Sequence, residues 1–105
     1  SFLILGDCNF TGSLPSALRE LKMLDIFVVS GNRLQGQLPT EFADLQKLST
    51  VYGEFNALSG RIPSELGKLT RLRLTSFQDN RLVGAIPSEI GGLHDSFLIS
   101  FSNNL

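Results

Sequence analysis

The prolines of this chain stand at Pro15, Pro39, Pro63 and Pro87, each 24 residues after the one before. The glycines Gly12, Gly36, Gly60 and Gly84 keep the same step three residues earlier; Leu14, Leu38, Ile62 and Ile86 precede the prolines, and Ser16, Thr40, Ser64 and Ser88 follow them. Apolar columns run through Phe10, Leu34, Leu58 and Leu82, through Leu18, Phe42, Leu66 and Ile90, and through Leu21, Leu45, Leu69 and Leu93. A repeat of this length is one structural unit, too small to bury its own apolar face and stable only when stacked on its neighbours. Residues 1–105 are therefore expected to form a single array of about four coils that share one core.

Asparagine recurs at Asn32, Asn56, Asn80 and Asn104, with Cys8 in the matching first position. The residues five and three before that position alternate along the chain as a strand requires: Leu3 and Leu5, Phe27 and Val29, Val51 and Gly53, Thr75 and Phe77, Ile99 and Phe101. These side chains are expected to point inward. A buried amide can satisfy backbone N–H and C=O groups where the chain turns out of each strand, so stacked asparagines predict a ladder. Cysteine buries well and bonds weakly, which suits Cys8 to the same slot as a structural residue rather than a reactive thiol. Each proline pushes its predecessor toward an extended conformation, and the hydroxyl residue after it is expected to cap a short helical turn such as 64–67.

The Leu-x-x-Leu spacing and the run Asn56-Ala57-Leu58-Ser59-Gly60-Arg61-Ile62-Pro63, with its copies, resemble the plant-type leucine-rich repeats and their N-x-L-x-G-x-I-P signature. The resemblance covers essentially the whole chain. It implies an α/β solenoid: a right-handed arc with a parallel sheet on the concave side, short extended or 3₁₀ segments on the convex side, often a second row of short strands after the glycine, and ligand binding across the array. Gly53 and Thr75 depart from the pattern by weakening core strand positions, Ser96 replaces the leucine of the column Leu24, Leu48, Leu72, and Cys8 replaces an asparagine. The chain opens inside a strand and stops after a fifth one with no segment offering a polar outer face, so neighbouring repeats, caps or a covering partner are expected at both ends.

With that alternation, the outward strand residues form columns on the concave face: Phe2, Ile26, Thr50, Leu74, Leu98; then Ile4, Val28, Tyr52, Ser76, Ser100; then Gly6, Ser30, Glu54, Gln78, Ser102. Exposed apolar patches mark binding sites, and an aromatic beside polar groups suits recognition. The expected partner contacts are Ile26, Val28, Tyr52, Glu54, Leu74, Ser76, Gln78 and Asp79. A register shift of one residue would exchange the faces and make Ile26, Val28 and Leu74 core, against which the asparagine phase argues.

Catalytic chemistry has little to work with. Cys8 and His94 lie 86 residues apart, more than three coils along the stack, so they cannot act as a nucleophile and base, and one Cys with one His makes no zinc site. Glu41, Glu65 and Glu89 share the 24-residue step, but they follow the proline on the outer side, where nothing raises a carboxyl pKa, and read as a solvated charge at the start of a helical turn. No enzyme activity, cofactor or metal is expected. Nine basic against ten acidic residues leave a formal charge of -1, no footprint for a nucleic-acid backbone. The longest apolar runs, 2–5 and 26–29, are far short of the ~20 residues that cross a bilayer. Asn9-Phe10-Thr11 is a glycosylation sequon on an expected surface turn, consistent with an extracellular or cell-surface location.

Two readings follow. One is a noncatalytic segment that binds a protein or peptide on its concave face, from a receptor-like or inhibitor-like protein. The other is an assembly scaffold, with an intracellular location open to it. Contacts along the concave columns favour the first, and contacts along the flanks the second.

Overall fold

A computed structural model describes residues 1–14, 16–85, 87–92, 98–100 and 104, without the side chains of 16, 91, 92 and 98–100. Pro15, Ile86, Leu93, His94, Ser96, Phe101 and Ser102, with the side chains of Leu98, Ile99 and Ser100, fall outside what is described. The strands are β1 (Phe2–Ile4), β2 (Thr11–Gly12), β3 (Ile26–Val28), β4 (Arg33–Gln37), β5 (Thr50–Tyr52), β6 (Ala57–Arg61), β7 (Leu74–Ser76), β8 (Arg81–Val83) and β9 (Leu98–Ser100). They form two parallel sheets, one in the order β1-β3-β5-β7-β9 and the other β2-β4-β6-β8. Between them, each coil makes one 3₁₀ turn: Ser16–Glu20, Thr40–Asp44, Ser64–Lys68 and Ser88–Gly92.

The register in the first sheet pairs residues one repeat apart, Phe2 with Ile26, Ile26 with Thr50, Thr50 with Leu74. Phe27 keeps only 1% of its surface, while Ile26 and Val28 on either side are half-buried, which settles the face in favour of the asparagine phase. Stacking does the burying. Leu45 and Leu69 are fully buried between coils, whereas Leu21, in the same column of the first coil, stays 43% exposed. Phe27 and Phe42 meet edge to face with centroids 5.7 Å apart, tying the sheet to the 3₁₀ side of the core.

Gly53 is not the weakness its column suggested. A Cβ built there would lie 2.7 and 2.8 Å from the Phe77 ring, so the missing side chain is the space that the larger ring of the next coil fills. Phe77 is 1% exposed as a result. Thr75 does weaken its position: its buried hydroxyl finds no hydrogen-bond partner among the described residues. Replacing it with valine removes that desolvated group at nearly constant shape. Thr75→Val is expected to raise unfolding free energy by about 1 kcal/mol, read from urea denaturation.

The second sheet runs through the glycine column rather than after it, with Gly36 inside β4 and Gly60 inside β6. Both take positive φ, 85° and 79°, which explains why this column admits only glycine. Its partners are 22 residues apart, Gln35 with Ala57 and Ser59 with Arg81, against 24 in the first sheet. Each coil therefore slips two residues along the second sheet relative to the concave one. A slip of two preserves the side-chain alternation, so the core face is kept.

Thr40 and Ser64 do not cap their 3₁₀ turns. Pro39 and Pro63 occupy the cap positions in extended geometry with no side-chain cap bond. Thr40, Ser64 and Ser88 lie inside the turn and instead donate to the carboxylates of Glu41, Glu65 and Glu89 at 3.5, 3.3 and 3.4 Å.

The asparagines tie each coil to the one before. Asn56 Oδ1 accepts from Leu34 N–H at 3.0 Å, Asn80 Oδ1 from Leu58 N–H at 3.0 Å, and Asn104 Oδ1 from Leu82 N–H at 2.9 Å. Each Nδ2 donates to a carbonyl 27 residues back: Asn32 to Leu5, Asn56 to Val29, Asn80 to Gly53, Asn104 to Phe77. Cys8 departs from its expectation. It is exposed, and its thiol donates to the Gly6 carbonyl at 3.1 Å.

Candidate binding face

The backbone groups of the concave strands are used up in the ladder, so the outward side chains are what the sheet presents. In the first column Phe2 is 70% and Leu74 37% exposed, with Ile26 and Thr50 half-buried between them. The second column runs from Ile4, 63% exposed, through half-buried Val28 and Tyr52. Ser76, expected in this row of contacts, is buried: its short side chain sits between the neighbouring strands, paired with Tyr52 on one side and Ser100 on the other. The third column is polar. Ser30 donates to Glu54 Oε2 at 3.2 Å across adjacent coils, which fixes the carboxylate beside Tyr52. Gln78 and Asp79 follow in the next coil, both half-buried. The structure thus places Ile26, Val28, Tyr52 and Leu74 on strands β3, β5 and β7 of one sheet, in rows about 4.8 Å apart, with Glu54 following β5 and Gln78 and Asp79 following β7.

One residue escaped the sequence reading. Phe55 is 54% exposed and sits at φ 56°, a conformation that a bulky residue rarely adopts. Its column holds Asp7, Gly31 and Asp79, also at positive φ, residue types for which that geometry is cheap. The odd aromatic in a column of aspartate and glycine was the available signal. Phe55→Asn is expected to relieve the strain at small cost in burial and to raise Tm by roughly 4 °C in a thermal scan.

Elsewhere the side chains offer little chemistry. Glu41 and Glu65 are half-buried on the 3₁₀ side, away from the concave rows, and His94 lies outside the described residues. Among the described residues no three His, Cys, Asp or Glu side chains converge to hold a metal ion, and no helix is long and apolar enough to cross a membrane. Asn9 is exposed at φ 58°, and Thr11 of its sequon is exposed in β2. The concave face can supply apolar contact, an aromatic ring and oriented hydrogen-bonding groups, which is the equipment of recognition.

Parallel strands one per coil, 3₁₀ turns opposite them and an asparagine ladder between define a leucine-rich-repeat solenoid. Residues 1–21 and 20–45 match the family profile described as Leucine Rich Repeat. The chain is a run of plant-type leucine-rich repeats. The plant peptide hormone receptor RGFR1, solved in complex with RGF2, is similar with a TM-score of 0.94 and 30% identity over 98% of this chain and 17% of that one. The LRR ectodomain of the Arabidopsis receptor kinase HAESA, with an N-terminally extended IDA peptide hormone, gives 0.92 and 35% over 97% and 17%. A chain of the BIR3–SERK2 complex from Arabidopsis thaliana gives 0.86 and 36% over 97% and 53%. The chain spans about a sixth of the two hormone receptors. A search of curated protein sequences gave no match.

Proposed function

We propose that this chain is the ligand-reading stretch of an extracellular, receptor-like leucine-rich-repeat region, and that it binds an extended peptide or protein segment without catalysis. The observation that carries this reading is the outward row itself. Tyr52 lies between half-buried Val28 and the Ser30–Glu54 hydrogen bond, with Leu74 and Gln78 one coil on, so apolar and polar contacts repeat in step with a strand. An extended segment laid across the coils meets one row per ~4.8 Å. Two of the similar ectodomains were solved with peptide hormones, which supports the same class of ligand here. Exposed Asn9 would carry a glycan in that compartment, on the flank rather than in the row.

A display library of eight-residue peptides supplies the probe. Alanine at Tyr52, Glu54 and Gln78 together is expected to weaken selected peptides at least tenfold, about 1.4 kcal/mol, by titration calorimetry. Alanine at Glu41 and Glu65 on the outer side leaves affinity as it was. Intact affinity in the triple variant would reject the concave face as the binding surface.

A further inference from the structure

Where the chain arrives at the concave sheet, just before β3, β5 and β7, an open cavity of about 380 Å³ is lined by Lys47, Arg71 and Arg73 together with Asp25, Ser49 and Thr70. Lys47 and Arg71 are one repeat apart, so neighbouring coils set them side by side, and Arg73 follows two residues on. Like charges gathered so closely repel unless something neutralises them. Among the described residues no ion pair does so: the pairs are Ser1 with Asp25 and Arg19 with Glu20, and none involves these three cations. The clustering is local, since the whole chain carries a formal charge of -1. Asp25 is the one carboxylate among the residues lining the cavity, while Glu41, Glu65 and Glu89 stand on the 3₁₀ side and Glu54 and Asp79 at the far end of the concave strands. The backbone beneath is ordered, with Arg73 N–H bonded to Ser49 O and Ser49 N–H to Asp25 O, both at 2.8 Å.

We propose that this cavity is an anion-binding subsite that takes the carboxylate of an acidic side chain on the peptide ligand. Two guanidinium groups and an ammonium from adjacent coils suit an oxyanion, which a guanidinium can hold through paired hydrogen bonds. Asp25 repels an anion, so the carboxylate sits toward Lys47 and Arg71. The subsite continues directly into the first concave column, because Ser49 and Arg73 precede Thr50 and Leu74 in the chain. A peptide resting on Leu74 therefore presents a neighbouring side chain to the cavity, and the acid fixes its register on the coils. This proposal rests on the concave face being the binding surface.

The test compares peptides selected from the eight-residue library by the full chain with the same peptides carrying Asn for Asp or Gln for Glu. The wild type is expected to favour an acid at one position, binding its amide counterpart at least tenfold more weakly, with the preference shrinking as NaCl rises. Lys47→Glu/Arg71→Glu, two exposed positions, removes the preference, while Lys22→Glu/Lys68→Glu, with the same change of charge elsewhere, keeps it. An acid preference that survives in the first variant, or its absence in the wild type, overturns the subsite. Tyr52→Ala separates the two readings. If it weakens acid and amide peptides alike while no preference exists, the subsite fails alone; if it has no effect while Lys47→Glu/Arg71→Glu abolishes the preference, the concave row fails and takes with it the subsite's role of setting register there, although the cavity still takes the acid.

Discussion

Asn80→Ala is expected to lower the unfolding free energy by roughly 3–5 kcal/mol, because it orphans one buried N–H and loosens two carbonyls at once. Asn80 is 8% exposed, and its Oδ1 receives the N–H of Leu58, a residue with no exposed surface. Its Nδ2 bridges Gly53 O in the preceding coil and Phe77 O in its own, both at 3.0 Å. A buried group left without a partner costs about 1–3 kcal/mol, and several are released together here. Against a usual total of about 5–15 kcal/mol the loss is large. Asn80→Asp retains the acceptor for Leu58 but turns a carboxylate toward two carbonyl oxygens, so it is expected to fare no better. Urea denaturation reads both, and a loss under about 1 kcal/mol for alanine would mean that the amide does not join the coils.

Gly53→Ala is the second large effect, expected to cost roughly 2–3 kcal/mol through overpacking. The added methyl would meet the Phe77 ring at 2.7 Å, and that ring has no free space to retreat into at 1% exposure. Phe77→Leu costs stability on its own by leaving a void, yet it is expected to restore part of the loss when combined with Gly53→Ala. A double-mutant cycle measures that coupling. Strict additivity would show that the glycine and the ring do not share one space.

The 24-residue step made the coil, the inward columns and the asparagine ladder legible, because each depends on one residue type recurring where every coil needs the same thing. What it missed arises between coils. Gly53 and Phe77 look like a gap and a normal core residue when each is read in its own column, and only their contact shows that one fills the other. Ser76 belongs by alternation to the outward row but is too short to reach beyond its neighbours. Cys8 occupies the asparagine phase but is exposed. The two-residue slip of the second sheet leaves no mark on a column pattern, since sequence alignment of repeats assumes equal steps everywhere. Of the candidate face, the row positions were readable from the strand period, whereas Phe55 and the Lys47–Arg71–Arg73 cavity needed backbone angles and surface shape.

Native-state hydrogen exchange followed by NMR bears most directly on the stacking of coils through their amides. The N–H groups of Leu34 and Leu58 donate to asparagine side chains of the following coil, at 3.0 Å each. They are expected to exchange as slowly as the concave ladder N–H groups of Val29 and Gly53, which bond to Tyr52 and Ser76 carbonyls. Exchange of Leu34 and Leu58 at the rate of an open chain, while Val29 and Gly53 remain protected, would contradict it.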